Sequence, residues 1–452
     1  MKKKLFALFA GAICVAAIWA GCCNCRNNRC LIISDIHLNP FYTSDGSFKV
    51  DDQLVRLLLQ NPDPQKWESI LQEHMAADPY KNLAGNDSDY GLLKSEIDSM
   101  YARIPNPAFI VIAGDFLWHG NHKDTSSLLA KLKPDSLVIL KKATMNFIAY
   151  LFKGKFKNVP IIPVLGNNDT NGSDYEQQNQ DFLNAFSASW QLNGPTVNID
   201  SLSTHGYYTY SPATSPGLEF VSLNTTLVSP YQNRFDTHGK DYNKVYTGEG
   251  LQMLSWLQKK LESAPGKIWI ISHIPPGIDE YNLEKLQAGQ KSYTGFNWED
   301  TCNRRMGKLL EKYGGKVKFY IAGHTHFNEY RVLYDDDQKT PFAYVRVVPS
   351  LGTNHIYNPS FEIANFDNNY NVLAETEYYM DLGSSSRQWR ELNVDDKLKN
   401  ATPESIYDVL SPFDNKNPPD VPAYYLNFYN VGKPVAIGTG YLRADIMHVK
   451  GE

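Results

Sequence analysis

Short apolar runs recur along the chain, and many break off at a glycine, aspartate, asparagine or histidine. The first, residues 29–35, is apolar at Leu31, Ile32 and Ile33 and runs into Ser34-Asp35-Ile36-His37. Residues 109–113 are apolar throughout and stop at Gly114-Asp115. Residues 159–165 stop at Gly166-Asn167-Asn168-Asp169, residues 267–271 at Ser272-His273, and residues 317–322 at Gly323-His324-Thr325-His326. Runs this short, bounded by turn-forming residues and rich in β-branched and aromatic side chains, predict buried strands. Further strands are predicted over 207–210, 218–223, 343–349, 360–366 and 371–379.

Between the strands the apolar spacing turns helical. Leu54-Val55, Leu57-Leu58 and Ile70-Leu71 predict a helical excursion over 48–103, ended by Pro105 and Pro107. Residues 137–152, 250–261 and 303–313 predict further helices, and the tail carries helical stretches at 388–392 and 403–410. No internal repeat is visible. Strands and helices intermixed in this way predict an α/β fold. Its form is a two-sheet β-sandwich flanked by helices over 29–382, followed by a small C-terminal helical subdomain over 383–452.

Composition changes this picture in two places. With 42% hydrophobic and 13% aromatic residues, the 452-residue chain can build a full core. Its net charge of −5 carries no footprint for nucleic acid, and none is expected as a partner. The N-terminus stands apart: Lys2, Lys3 and Lys4 precede an uncharged apolar run over 5–21, the pattern of a secretory signal. Ala20-Gly21-Cys22 resembles a bacterial lipobox, with Trp19 in place of the usual leucine. Residues 1–21 are therefore expected to be a lipoprotein signal, with Cys22 as the lipid anchor and 22–28 as a flexible tether. An uncleaved single-helix anchor is the alternative. The protein is expected to be exported, membrane-anchored through Cys22 or secreted, and monomeric. Cys22, Cys23, Cys25 and Cys30 also admit a metal knuckle, but Cys302 is solitary and no disulfide-stapled fold is expected.

The candidate chemistry lies in where the polar clusters fall. Asp35, His37, Asp115, Asn167, His273, His324 and His326 all follow apolar strands. Singly, Asp35 or Asp115 reads as a turn residue and His273 as a core histidine. Together they place three carbonyl-type oxygens and four imidazoles at strand ends, where α/β sheets bind ligands. That donor set matches two divalent ions with mixed oxygen and nitrogen ligands.

The blocks D-x-H, G-D, G-N-N-D, a lone His and G-H-x-H, running in order from Asp35 to His326, resemble the calcineurin-like metallophosphoesterase superfamily. Within it the chain is most similar to acid sphingomyelinase-like phosphodiesterases. That likeness rests on His119 four residues after Asp115, on Leu223-Asn224-Thr225-Thr226, on His273-Ile274-Pro275-Pro276-Gly277 and on Asn358-Pro359-Ser360-Phe361. The resemblance implies a first metal held by Asp35, His37, Asp115 and His326. It implies a second held by Asn167, His273 and His324, with Asp115 shared. Two divalent ions about 3.5–4 Å apart repel by roughly 17–19 kcal/mol at an effective dielectric near 20, so the shared ligand has to be a carboxylate. Zinc suits the histidine-rich set, and manganese or iron fit too.

The implied reaction is metal-dependent hydrolysis of a phosphodiester by hydroxide generated at the metals, the substrate being a phospholipid head group or a nucleotide. Hydrolysis of nucleotide phosphoanhydrides or monoesters is the alternative. The family carries a histidine where this chain has Asn168, and an amide donates a hydrogen bond but delivers no proton. His119 is then expected to act as the acid beside Asn168, its ordinary alternative being a solvated loop histidine. A slow or inactive ligand-binding relative is the reading that Asn168 leaves open. His355 is expected to line the substrate pocket.

Overall fold

In the strand Arg29–Ile33, Leu31 and Ile33 turn one way while Cys30 and Ile32 turn the other, and both faces are covered. That double burial is why the runs read as continuously apolar instead of alternating. The computed structural model describes residues 28–42, 47, 49–75, 85–119, 127–198, 201–231, 247–279, 295–335, 340–353, 358–414, 421–432 and 446–449. The residues expected to form the signal and tether lie outside these, apart from Asn28, and so does His355.

The strands in chain order are β1 (Arg29–Ile33), β2 (Ile110–Ile112), β3 (Ile161–Pro163), β4 (Val197–Asn198), β5 (Tyr208–Tyr210), β6 (Leu218–Ser222) and β7 (Lys267–Ile271). They continue as β8 (Val317–Ala322), β9 (Glu329–Asp335), β10 (Thr340–Val347), β11 (Ser360–Phe366), β12 (Val372–Met380), β13 (Trp389–Glu391) and β14 (Ile446–Val449). One sheet has the order β13-β12-β11-β1-β2-β3, the other β14-β9-β10-β8-β7-β6-β5-β4. The β1-β2-β3 and β6-β7-β8 runs are parallel, so the ends of β1, β2 and β3 share one edge, as do those of β7 and β8.

Between the sheets, Ile32, Val111 and Ile162 meet Phe220, Trp269, Ile271 and Phe319. On the outside, Leu31, Ile110 and Ile112 pack with Phe147, Ile148 and Phe152 of the helix Pro134–Lys155. Ile268, Ile270 and Tyr320 pack with Leu254, Leu257, Met306 and Leu310 of the helices Thr247–Ser263 and Asp300–Tyr313. This is the helix-flanked sandwich expected from the pattern. The first of those helices is well specified locally: Pro134 opens it, Asp135 lies in its first turn, and Lys153 and Lys155 lie in its last.

Two of the stretches that differ from the pattern reading have a clear physical reason. Residues 388–392 read as helical, yet Trp389–Glu391 is β13, pairing with Tyr378, Tyr379 and Met380 while the Trp389 ring packs on Phe361 at 5.2 Å. Residues 329–335 carried no strand signal because Glu329 and Arg331 interrupt the apolar run. In β9 both are buried, Arg331 Nε bonding Glu329 at 3.1 Å and its Nη1 donating to the Pro276 and Ile278 carbonyls at 3.0 Å.

The tail is helical at Pro403–Leu410 and Ala423–Tyr429, and it packs against the sandwich. Ile406, Leu410, Tyr425 and Phe428 share a core with Phe327, Tyr330 and Val332, and β13 and β14 extend one sheet each.

Candidate metal centre

The strand ends throw their polar side chains together by leaving the extended conformation abruptly. Asp35, His37, Asp115, His324 and His326 have φ of 52°, 43°, 54°, 78° and 66°, a left-handed region uncommon for residues with a side chain. Each such residue costs about 1–3 kcal/mol and persists only where its surroundings hold it. Around Asp115 the holding group is the buried Asp169 carboxylate, which accepts from the backbone N–H of Asp115, Phe116 and Gly166 at 2.8 Å and of Leu117 at 3.2 Å. Two glycines make room: a Cβ on Gly166 would sit 2.0 Å from Asp115 Oδ1, and one on Gly323 would sit 1.9 Å from Ser34 Oγ.

All seven residues singled out at strand ends converge, although no two blocks are close in sequence. His37 Nε2 lies 3.2 Å from His326 Nε2, 3.5 Å from Asp115 Oδ2 and 3.6 Å from Asp35 Oδ1. His273 Nε2 lies 3.0 Å from Asn167 Oδ1 and 3.1 Å from Asp115 Oδ2. Ligand atoms of Asp115, His273 and His324 lie within 4.8 Å of one another, as do those of Asp35, His37 and Asp115. Asp115 is common to both groups.

Hydrogen bonding decides what these atoms can do. His37 Nδ1 is 3.0 Å from the Leu117 carbonyl, and His273 Nδ1 is 2.7 Å from the Ala113 carbonyl. A carbonyl only accepts, so each Nδ1 carries a proton and each Nε2 faces the centre, presenting a lone pair whenever the ring is neutral. Lone pairs on His37 and His273 then face carboxylate and amide oxygens, which also only accept. Asp35 Oδ1, fully buried, receives no hydrogen bond. Such a set is complete only with positive charge inside it.

The acid–base balance says the same. Burial by itself would lower His37, but Asp35 and Asp115 beside it raise it to about 9. Burial would likewise lower His273, and Asp115 and Asp35 raise it to about 10. His324 goes the other way, burial and the neighbouring His273 lowering it to about 3. Burial would raise Asp35 too, yet His326 and His273 hold its carboxyl well below the usual range. The centre draws cations to itself, and its imidazole and carboxylate donors suit divalent metals.

His119 also joins the centre. Its ring stacks on His37 with centroids 4.0 Å apart, its Nδ1 is 2.7 Å from Asp87 Oδ1, and its backbone N–H donates to Asp87 Oδ2 at 3.1 Å. A ring nitrogen of His119 comes within 4.8 Å of ligand atoms of His37 and His326. The side chain is one-third exposed, unlike the buried His37. Asn168, also singled out in the sequence, lies at the centre. Its backbone N–H and its Nδ2 both donate to the Asp115 carboxylate at 2.8 Å, so the amide orients Asp115.

Four further residues at the centre escaped the sequence reading. Asp169 was visible only as the last letter of a block. Asp87 lies two residues before Asp89, which caps the helix Tyr90–Arg103 through Leu92 N at 2.7 Å, and nothing local says which of the two faces the site. Asp174 accepts from Asn167 Nδ2 at 2.5 Å, and the Tyr175 hydroxyl is 3.2 Å from His324 Nε2. The signal that could have found them is their place in the turn directly after Gly166-Asn167-Asn168-Asp169.

The chain is similar to several proteins named as phosphodiesterases. Sphingomyelin phosphodiesterase 2 from Caenorhabditis elegans is 24% identical over 372 residues, 77% of this chain and 54% of that protein. The chain therefore spans about half the length of that relative. Sphingomyelinase phosphodiesterase D from Dictyostelium discoideum is 25% identical over 375 residues, 79% of this chain and 76% of that one. Cyclic GMP-AMP phosphodiesterase SMPDL3A from Homo sapiens is 23% identical over 424 residues, 88% of this chain and 82% of its own. Residues 29–328 match the calcineurin-like phosphoesterase family, a span that contains every strand end contributing to the centre. The chain belongs to the calcineurin-like phosphoesterases, with sphingomyelin phosphodiesterases among its relatives.

Proposed function

We propose that the protein is a phosphodiesterase that works with two divalent metal ions and hydrolyses a phosphodiester of the kind its relatives are named for. The observation that carries this is the pair of lone-pair clusters meeting at Asp115. Asp35, His37, Asp115 and His326 would hold one ion; Asn167, His273, His324 and the shared Asp115 would hold the other. Bound there, the ions would polarise phosphoryl oxygens and lower the pKa of a water from about 15.7 toward 7.

The chain's own residues do the rest. Asp115 would be shared by the two ions and would reduce their repulsion, with Asn168 fixing both of its oxygens. Leu117 and Ala113 carbonyls fix the tautomers of His37 and His273. His119, its Nδ1 held by Asp87, offers the other ring nitrogen as the proton donor to the departing oxygen. Asn168 has no proton to deliver, so the work of a general acid falls on His119. The Lys2-to-Cys22 pattern supports an exported enzyme tethered to a membrane through Cys22.

The test is to strip the protein of metal and restore it with zinc or manganese. Activity is then compared on sphingomyelin, cyclic GMP-AMP, a nitrophenyl diester, a nitrophenyl monoester and nucleoside triphosphates. Metal-dependent cleavage of the diesters is expected, and the two natural diesters separate a lipid head group from a nucleotide. Turnover confined to monoesters or triphosphates would overturn the reading, and so would diester cleavage unaffected by metal removal.

A further inference from the structure

Two neighbouring residues outside the metal-ligand set touch two of the three ligands that only the second ion would use. Asp174 Oδ1 accepts from Asn167 Nδ2 at 2.5 Å, which turns Asn167 Oδ1 toward His273 Nε2 at 3.0 Å. An asparagine amide has two chemically different ends, and only its oxygen binds a cation. Flipped, it would set an N–H₂ group against the ion. Tyr175 follows directly. Its hydroxyl lies 3.2 Å from His324 Nε2, and a ring nitrogen engaged there leaves Nδ1 for a metal.

The turn bearing both is held at several points. Tyr175 N–H donates to the Asn167 carbonyl at 3.0 Å, Glu176 N–H to the Ser173 carbonyl at 2.9 Å, and the buried Lys141 ammonium to the Gly172 carbonyl. The Tyr175 ring meets Tyr231 edge-on at 5.5 Å, and the Tyr231 hydroxyl donates to Asp279 at 2.8 Å. Tyr175 itself has φ of 60°, uncommon for a bulky residue. A turn fixed this firmly presents its two side chains in one arrangement.

We propose that Asp174 and Tyr175 are positioning residues for the second metal: Asp174 sets which end of the Asn167 amide meets the ion, and Tyr175 sets which nitrogen of His324 does. This rests on the two-metal reading above. It predicts that the two metal sites respond separately when the turn is altered, the first site being built from Asp35, His37 and His326, which the turn does not contact through any of the bonds just described.

The experiment uses the full metal-free chain titrated with manganese(II) alone, followed by electron paramagnetic resonance. The free-ion signal gives occupancy, and spin coupling reports a filled pair. Wild type is expected to take up two coupled ions. Tyr175→Phe and Asp174→Asn should keep the first ion and weaken the second by about 10–100-fold, the usual effect of losing a partner behind a ligand. Asp174→Glu should recover part of the loss. In an Asn167→Asp background, Asp174→Asn should no longer weaken the second ion, because a carboxylate presents an oxygen whichever way it turns and the new amide replaces a like charge at the 2.5 Å contact.

Second-ion affinity equal to wild type in both single variants would overturn the inference. So would an undiminished effect of Asp174→Asn in the Asn167→Asp background. Tyr175→Phe removes one oxygen atom and keeps the packing, so it decides the question even where an Asp174 variant folds poorly. A wild-type protein that binds no second ion would overturn the two-metal reading together with this one. Two coupled ions held by wild type, and held as tightly by both single variants, would overturn this one alone.

Discussion

Adding one methyl group at Gly166 should disable the centre, whereas the same change at Gly154 should be harmless. At Gly166 a Cβ would lie 2.0 Å from Asp115 Oδ1, 2.5 Å from Asp115 N and 2.7 Å from Asp115 Cγ. Carbon and oxygen rest at about 3.3 Å or more, so roughly 1 Å of displacement is forced on a carboxylate common to two clusters of candidate ligands. The side chain cannot simply swing away, because the backbone nitrogen is also in the path and is tied to Asp169 at 2.8 Å. Overpacking of this kind costs about 1–3 kcal/mol, and a 1 Å misplacement of a catalytic group costs on the order of 10²-fold in rate. At Gly154, in the last turn of the helix Pro134–Lys155, a Cβ meets nothing within 4 Å. There alanine should be neutral or stabilising by up to about 1 kcal/mol. The assay combines urea unfolding, metal content by elemental analysis and diester turnover for both variants. A Gly166→Ala protein with two metals and wild-type turnover would refute the reasoning, because it would mean that Asp115 can move without consequence.

Three further outcomes follow from the same geometry. His119→Ala should keep both metals yet lose up to roughly 10²–10⁴-fold on an alkyl diester and much less on a nitrophenyl diester, whose leaving group needs no proton; equal losses on both, or loss of a metal, would show that His119 positions phosphate or holds an ion instead. Burial, only partly offset by Arg346 and Asn328, pushes the Glu377 carboxyl up to about 8, so the protonated form is favoured in the fold and its contribution is complete below about pH 4.5 and lost as pH rises through 8. Glu377→Gln should therefore flatten the stability profile between those limits and stabilise the protein above pH 8, and an unchanged slope in denaturant melts at pH 5 and pH 8.5 would contradict this. Cys22→Ala should move the protein from the membrane fraction to the soluble one in its host, and intact Met1 on a soluble wild-type protein would rule out the anchor.

The sequence by itself determined most of the strand framework and which Asp, His and Asn side chains gather at its strand ends. Strands buried on both faces leave long apolar signatures, as at Ile110–Ile112 and Lys267–Ile271, and the residues that end them must lie along one edge of a parallel run. The types at those edges, Asp, His and Asn, already imply cations, and the Cα trace adds only their distances. Where charge sits inside a strand the local signal fails: Glu329 and Arg331 hid β9, because the bonds that make their burial tolerable run to Pro276 and Ile278 more than fifty residues away.

Only the tertiary structure decided which partner each polar group takes. That Asn168 faces Asp115, that Asp87 and not Asp89 grips His119, and that Asp174 and Tyr175 stand behind Asn167 and His324 are all facts of proximity. Periodicity reports which face of an element is buried, since that depends on neighbours two to four residues away. The direction of an amide, or the nitrogen on which an imidazole carries its proton, depends on one atom brought up by folding. The carbonyls of Ala113 and Leu117, from the segment after β2, set the tautomers of His273 and His37, and no pattern within either histidine's own stretch of chain contains that information.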